Sequence, residues 1–236
     1  MSITLGIYGD SYACENSWAG RLTNDNRPFW VSYLQASFNI NNYALPGSTL
    51  SYTHDQFLKT NKSNDINIVF VTHWGRIQLT KLSTFPQYIP GLYYVEFLIS
   101  NCKDPGDLAI LNAAKDYYIY VENEAYIKKF HQMMISDIKA ARTNTILVPC
   151  FPKSILTDSE IGEISMFDIG KIDNHYYGLD ITHVDKKHCH LNDNNNLIFA
   201  TKLKDHIESG TNLPFKINLE DYVQPINEPV EYNFCI

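Results

Sequence analysis

The sequence lacks any cluster of basic residues. It contains 19 Lys and Arg against 26 Asp and Glu, which gives a formal net charge of -7. Affinity for a phosphate backbone comes from clustered lysines and arginines. We therefore expect no nucleic-acid partner.

Long apolar runs are also lacking. No stretch reaches the roughly 20 consecutive apolar residues that a membrane-spanning helix needs, and residues 1–10 lack the basic start and apolar core of a secretory signal. The five cysteines are scattered, without a CxxC pair, which favours reduced thiols over a disulfide framework. We expect a cytoplasmic protein that does not associate with membranes.

What the sequence does contain is an alternation of strand and helix patterns. Runs rich in apolar and β-branched residues predict strands over residues 3–8, 39–44, 66–72 and 144–150. Apolar residues at helical spacing predict helices beginning near Pro28 and over residues 127–141 and 197–207. Strands separated by helices favour a mostly parallel sheet covered on both faces, a three-layer α/β/α sandwich.

The predicted domain organisation is simple. Residues 1–210 are expected to form one domain, interrupted by an insertion over about 75–105 that is rich in Tyr and Pro and lies over the site. Residues 211–236 contain three prolines and little periodicity, so we expect a tail that packs on the domain or on a partner.

Three polar or glycine-containing loops follow predicted strands. Ser11, Gly47 and His73 each stand just after the end of a strand. Ligands of parallel sheets bind at the carboxyl ends of strands, so we expect these three loops to meet. Gly9-Asp10-Ser11 suits a turn that exposes a serine hydroxyl beside free backbone N-H groups, although the same three residues also form ordinary turns.

A histidine-rich loop, residues 183–190, precedes the last predicted helix. A helix N-terminus disfavours a positive charge, so His190 at that position is suited to remain neutral and accept a proton. The alternative is a zinc site, because imidazole suits that metal. Its candidate ligands are His183, Asp185, His188, Cys189 and His190. Lys186 and Lys187 lie within the same loop and disfavour the metal site.

In their order and spacing these blocks resemble the SGNH (GDSL-like) hydrolases, and the final block and the ring-rich insertion also look like divergent members found in viruses and bacteriophages. The resemblance implies a flavodoxin-like fold and Ser11 as the nucleophile, with His190 as its base. It also implies that the backbone N-H groups of Ser11 and Gly47 form an oxyanion hole. The implied activity is hydrolysis of an ester, often an acetyl group on a carbohydrate, through an acyl-serine and without a metal or cofactor.

The sequence departs from the family pattern at two positions. Where the family has an oxyanion-hole asparagine, this chain has His73, whose Nε2-H is the candidate replacement. Where the family has an aspartate three residues before the histidine, this chain has Lys187. Asp185 is the nearest substitute, and a Ser-His dyad without it is the other option.

Three further residues beside these blocks, Asp10, Trp74 and Arg76, are predicted to contact substrate.

The competing hypothesis is a binding or structural protein, part of a viral particle, that kept the fold after losing activity. The tail and residues 91–99 would then contact a partner or a second copy of the chain.

Overall fold

The structure is a computed structural model. It describes residues 2–14, 29–79, 81–83, 88–89, 91–141, 144–151, 164–166, 168–169, 191, 193–211 and 213–222.

The described residues form six strands and six α-helices. The strands are Thr4–Tyr8 (β1), Asn39–Asn42 (β2), Ile66–Val71 (β3), Ile77–Gln78 (β4), Tyr88–Ile89 (β5) and Thr145–Pro149 (β6). The helices are Trp30–Leu34 (α1), Leu50–Thr60 (α2), Leu92–Asn101 (α3), Pro105–Asp116 (α4), Glu124–Ala141 (α5) and Asp193–Glu208 (α6). A π-helical turn, Tyr117–Val121, continues α4.

The central sheet has the order β2-β1-β3-β6, and all its strands are parallel. Leu5 of β1 pairs with Ile40 on one side and Ile66 on the other. Val69 of β3 pairs with Leu147 of β6. The four strands predicted from apolar runs are these four, so the prediction of a mostly parallel sheet is confirmed.

Helices cover both faces of this sheet. On one face, Ile7 and Phe70 lie in a buried cluster with Trp30 of α1 and Phe199 of α6. On the other face, neighbouring strand residues pack against α2 and α5, which contribute Phe57 and Ile135. This alternation follows from the period of two in a strand. The three-layer α/β/α architecture is therefore confirmed.

The segment between β3 and α5 has a small core of its own. Its buried residues are Leu82, Val95, Leu98, Leu111, Ala114 and Tyr118. The sequence showed no clear period before residue 105, yet α3 is a regular helix there. Apolar side chains occur on most sides of α3, in the sequence LYYVEFLISN, and this masks the helical period.

The tail packs against the domain over residues 213–222. Phe215, Ile217 and Tyr222 are buried in the cluster around α1 and α6, and the Phe215 ring meets Phe199 at a centroid distance of 5.8 Å. No helix within the described ranges is long and apolar enough to cross a membrane.

Candidate active site

The loops after β1 and β2 are bonded to each other at the carboxyl edge of the sheet. The Gly9 carbonyl accepts hydrogen bonds from the Leu45 backbone N-H at 3.0 Å and from the Ser48 hydroxyl, also at 3.0 Å. The Asn42 amide donates to the Ala13 carbonyl at 2.9 Å. The structure therefore brings the Ser11 turn and the Gly47 loop together.

Gly9 lets the Ser11 turn approach β3. Its φ angle is +145°, and a Cβ atom at this position would lie 2.5 Å from the Cβ of Phe70. The turn is closed by a hydrogen bond of 3.0 Å from the Ala13 N-H to the Asp10 carbonyl. Ser11 stands inside this turn and is half-buried. A side chain at residue 9 would push the turn away from the sheet.

The carboxylate of Asp10 is fully buried and joins three strand ends. Its Oδ1 accepts from the Tyr12 backbone N-H at 3.0 Å and from the Cys150 thiol at 3.6 Å. Its Oδ2 accepts from the Thr72 hydroxyl at 2.7 Å and pairs with Arg76 Nη1 at 2.9 Å. Burial, reinforced by the Asp10 charge, raises the pKa of Cys150, so this thiol stays protonated and donates.

Arg76 lies between the first two loops. Besides Asp10, its Nη1 donates to the Ser48 carbonyl at 3.2 Å, and its guanidinium lies 5.0 Å from the centroid of the Phe151 ring. The side chain is 10% exposed. Asp10 and Arg76 were predicted to contact substrate; the structure pairs them with each other, and their contact with substrate stays a prediction.

His73 follows β3 with a defined orientation. Its Nδ1 accepts a hydrogen bond from the Gly75 N-H at 3.0 Å. Burial lowers the pKa of His73 to about 4, and the positive charges of Arg76 and Lys128 contribute in the same direction. The imidazole is therefore neutral at pH 7, and its proton is on Nε2 because Nδ1 acts as an acceptor. His73 is thus a neutral Nε2-H donor at the sheet edge.

Trp74 contacts two charged or polar neighbours. The His73 ring stacks on it with a centroid distance of 4.9 Å, and the Lys128 ammonium lies 4.9 Å from its ring centroid. Lys128 also pairs with Glu124 in the first turns of α5. Trp74 is half-buried, and its predicted contact with substrate stays a prediction.

Helix α5 supplies a residue that sequence reasoning missed. His131 is 5% exposed, and its Nδ1 has no hydrogen-bond partner in the described structure. Burial, followed by the nearby His73, lowers the pKa of His131 to about 4. Its spacing to the buried Ile135 and Ile138 places it on the apolar face of α5, and this polar residue in an apolar stripe was the available signal.

The predicted base and its partner, His190 and Asp185, lie outside the described residues, as do the other residues of the proposed zinc site. Their roles stay predictions. The next residue, Leu191, accepts a hydrogen bond of 3.0 Å from the amide of Asn196 in α6, and Asn196 Oδ1 accepts from the Trp30 N-H at 3.3 Å. Residue 191 is therefore held against α1 and α6. Within the described part of the chain, no group of three or more His, Cys, Asp or Glu side chains is suited to a metal ion.

No protein-family model matches the chain, and no curated protein matches it. Among solved structures, the chain is similar to an acetyl xylan esterase, AlAXEase, at 14% sequence identity over 92% of this chain and 77% of that chain. The TM-score is 0.31, too low to support a functional argument. None of these comparisons supports a viral origin. The resemblance to SGNH hydrolases therefore stays a prediction, and the functional argument depends on the chain's own residues.

Proposed function

We propose that the chain is a serine ester hydrolase that removes an acyl group, most simply acetyl, from a carbohydrate. One observation carries the proposal. The Ser11 turn, the Gly47 loop and the neutral donor His73 follow neighbouring parallel strands and are linked by hydrogen bonds through their adjacent residues. Donors fixed before the reaction stabilise a developing oxyanion at little reorganisation cost.

In the proposed reaction, the Ser11 hydroxyl oxygen attacks the ester carbonyl while His190 accepts its proton. The carbonyl oxygen becomes an oxyanion that accepts from the backbone N-H groups of Ser11 and Gly47 and from His73 Nε2-H. The carbon-oxygen bond to the alcohol breaks, and His190 returns the proton to that alcohol. Water, activated by His190, then hydrolyses the acyl-serine and restores the Ser11 hydroxyl.

In this proposal Asp185 orients His190. The reaction needs no metal or cofactor, because the charge that develops on the carbonyl oxygen is met by N-H donors. Trp74, beside His73, is proposed to contact the sugar or the alcohol part of the ester. An apolar ring with one polar edge suits the mixed surface of a sugar.

Turnover of an aryl acetate and release of acetate from an acetylated sugar test the proposal. Ser11→Ala should lower kcat to background, a loss of about a millionfold where the nucleophile is essential. Ser136→Ala, an exposed serine on α5, is the matched control and should retain wild-type activity. Equal turnover by wild type and Ser11→Ala would contradict the proposal; a folded wild type with no turnover would favour the binding protein.

A second pair of variants tests His73 as a donor. His73→Phe removes the Nε2-H while keeping a ring for Trp74, and kcat should fall by about 100- to 1000-fold with little change in KM. His73→Asn restores an N-H donor and should recover a large part of that loss. Unchanged kcat in His73→Phe would remove His73 from the oxyanion hole and leave Ser11 and Gly47 as the donors.

A further inference from the structure

Three residues of the Arg76–Asp10 network stand next to a proposed oxyanion donor. Asp10 itself precedes Ser11. Ser48, whose carbonyl accepts from Arg76 at 3.2 Å, follows Gly47. Thr72, which donates to Asp10 at 2.7 Å, precedes His73. The ion pair of 2.9 Å between Arg76 and Asp10 therefore connects the backbone beside all three donors.

The chemistry of this pair suits a fixed geometry. One nitrogen of the guanidinium, Nη1, donates to both Asp10 and Ser48, and the guanidinium carbon lies over the Phe151 ring, 5.0 Å from its centroid. A planar, delocalised cation that stacks and donates in fixed directions restricts its partners more than a flexible ammonium does. Because the side chain is 10% exposed, water competes weakly for these bonds.

We propose that Arg76 is a positioning residue that, through Asp10 and Ser48, fixes the relative positions of the three oxyanion donors. The inference rests on the proposed function and deepens it, because it assigns Arg76 to the geometry of the transition state rather than to the binding of substrate. Oxyanion donors act only when they lie within about half an ångström of the productive geometry, so a loosened Arg76 reduces catalysis without reducing binding.

Steady-state kinetics of Arg76→Lys test the inference. Lysine keeps the charge but lacks the planar fork. The value of kcat should therefore fall by about 10- to 100-fold, the scale expected for a misplaced catalytic group, while KM stays near the wild-type value. The rate at which a fluorophosphonate labels Ser11 should fall in parallel. Lys62→Met, which removes an exposed cation beyond the carboxyl end of α2, is the control and should leave both rates unchanged.

Arg76→Gln is the second variant; it leaves the Asp10 carboxylate without its counter-charge, so its kinetics are measured once circular dichroism shows that it is folded. It should show the same kcat loss, and guanidinium chloride below denaturing concentration should restore part of it. A rise in KM with unchanged kcat would overturn the inference in favour of substrate binding, and unchanged kinetics would overturn it outright. If the folded wild type shows no turnover that depends on Ser11, the proposed function is overturned, and the inference with it.

Discussion

Replacing Asp10 by asparagine should strongly destabilise the protein. The substitution keeps the shape of the side chain but removes its charge, which leaves the buried guanidinium of Arg76 without a counter-charge. Each carboxylate oxygen accepts from two donors in the wild type. In asparagine one of these oxygens becomes an N-H₂ group, which is itself a donor and so points its hydrogens at two other donors. Breaking a buried pair from one side costs about 3–5 kcal/mol.

For a chain of this size, 1 kcal/mol lowers Tm by about 2–4 °C, so Asp10→Asn should lower Tm by roughly 6–20 °C. Urea unfolding followed by circular dichroism gives the free energy directly, provided the m-value is unchanged. Asp55→Asn is the matched control. Asp55 pairs with Lys59 on the surface of α2, both side chains being more than half exposed, so its loss should cost less than about 0.5 kcal/mol.

The double variant Asp10→Asn/Arg76→Met completes a thermodynamic cycle. It removes both charges together, so no buried cation remains unpaired. Its loss of unfolding free energy should be smaller than the sum of the two single losses by about 1–3 kcal/mol. Additive losses, or an Asp10→Asn variant within 1 kcal/mol of wild type on the scale set by the control, would refute the reasoning.

Two further outcomes follow from the same region. Gly9→Ala should cost about 2–6 kcal/mol of unfolding free energy, because a φ of +145° disfavours a side chain and the new Cβ meets Phe70 at 2.5 Å; a variant as stable as wild type in urea would contradict this. The pKa values of His73 and His131, about 4 against an ordinary 6.5, mean that the unfolded chain binds more protons between these values. Stability should therefore fall as pH decreases from about 6.5 to 4, and urea midpoints in His131→Phe should depend less on pH in that window; an unchanged slope in this variant would contradict the assignment.

The sheet and its covering helices could be predicted because their signals are local. The run Ile66–Val71 is apolar and β-branched enough to be buried on both faces, and it forms β3, one of the two interior strands of the sheet. The period of α5 likewise showed in Met134 and Ile138, both buried. Local patterns of this kind arise because burial favours an apolar residue wherever the element faces the core.

The connection between Asp10 and Arg76 could not be predicted in this way. The two residues are far apart in sequence, and each resembles an ordinary loop residue in its own segment. Their pairing depends on the order β1-β3 in the sheet, which places the ends of both strands side by side. The sequence pointed to both residues for substrate contact because they lie beside the blocks of the family resemblance. In the structure the two charges pair with each other, and their contact with substrate stays a prediction.

His131 was missed for a similar reason. Apolar periodicity identifies helix α5 and marks His131 as a polar residue on its buried face, but histidine is of intermediate burial, so the pattern alone does not assign it a function. What sets His131 apart is its proximity to His73, which helps to lower the pKa of His131. Both imidazoles are therefore neutral at pH 7. Only the packing of α5 against the end of β3 brings that proximity about.

The most direct test of the central claim is covalent labelling of the full chain with a fluorophosphonate, read by intact mass and by sequencing of the modified peptide. The account predicts one adduct on wild type, located at Ser11, and none on a folded Ser11→Ala variant. A folded wild type that gains no adduct, or a Ser11→Ala variant that is labelled equally, would contradict it.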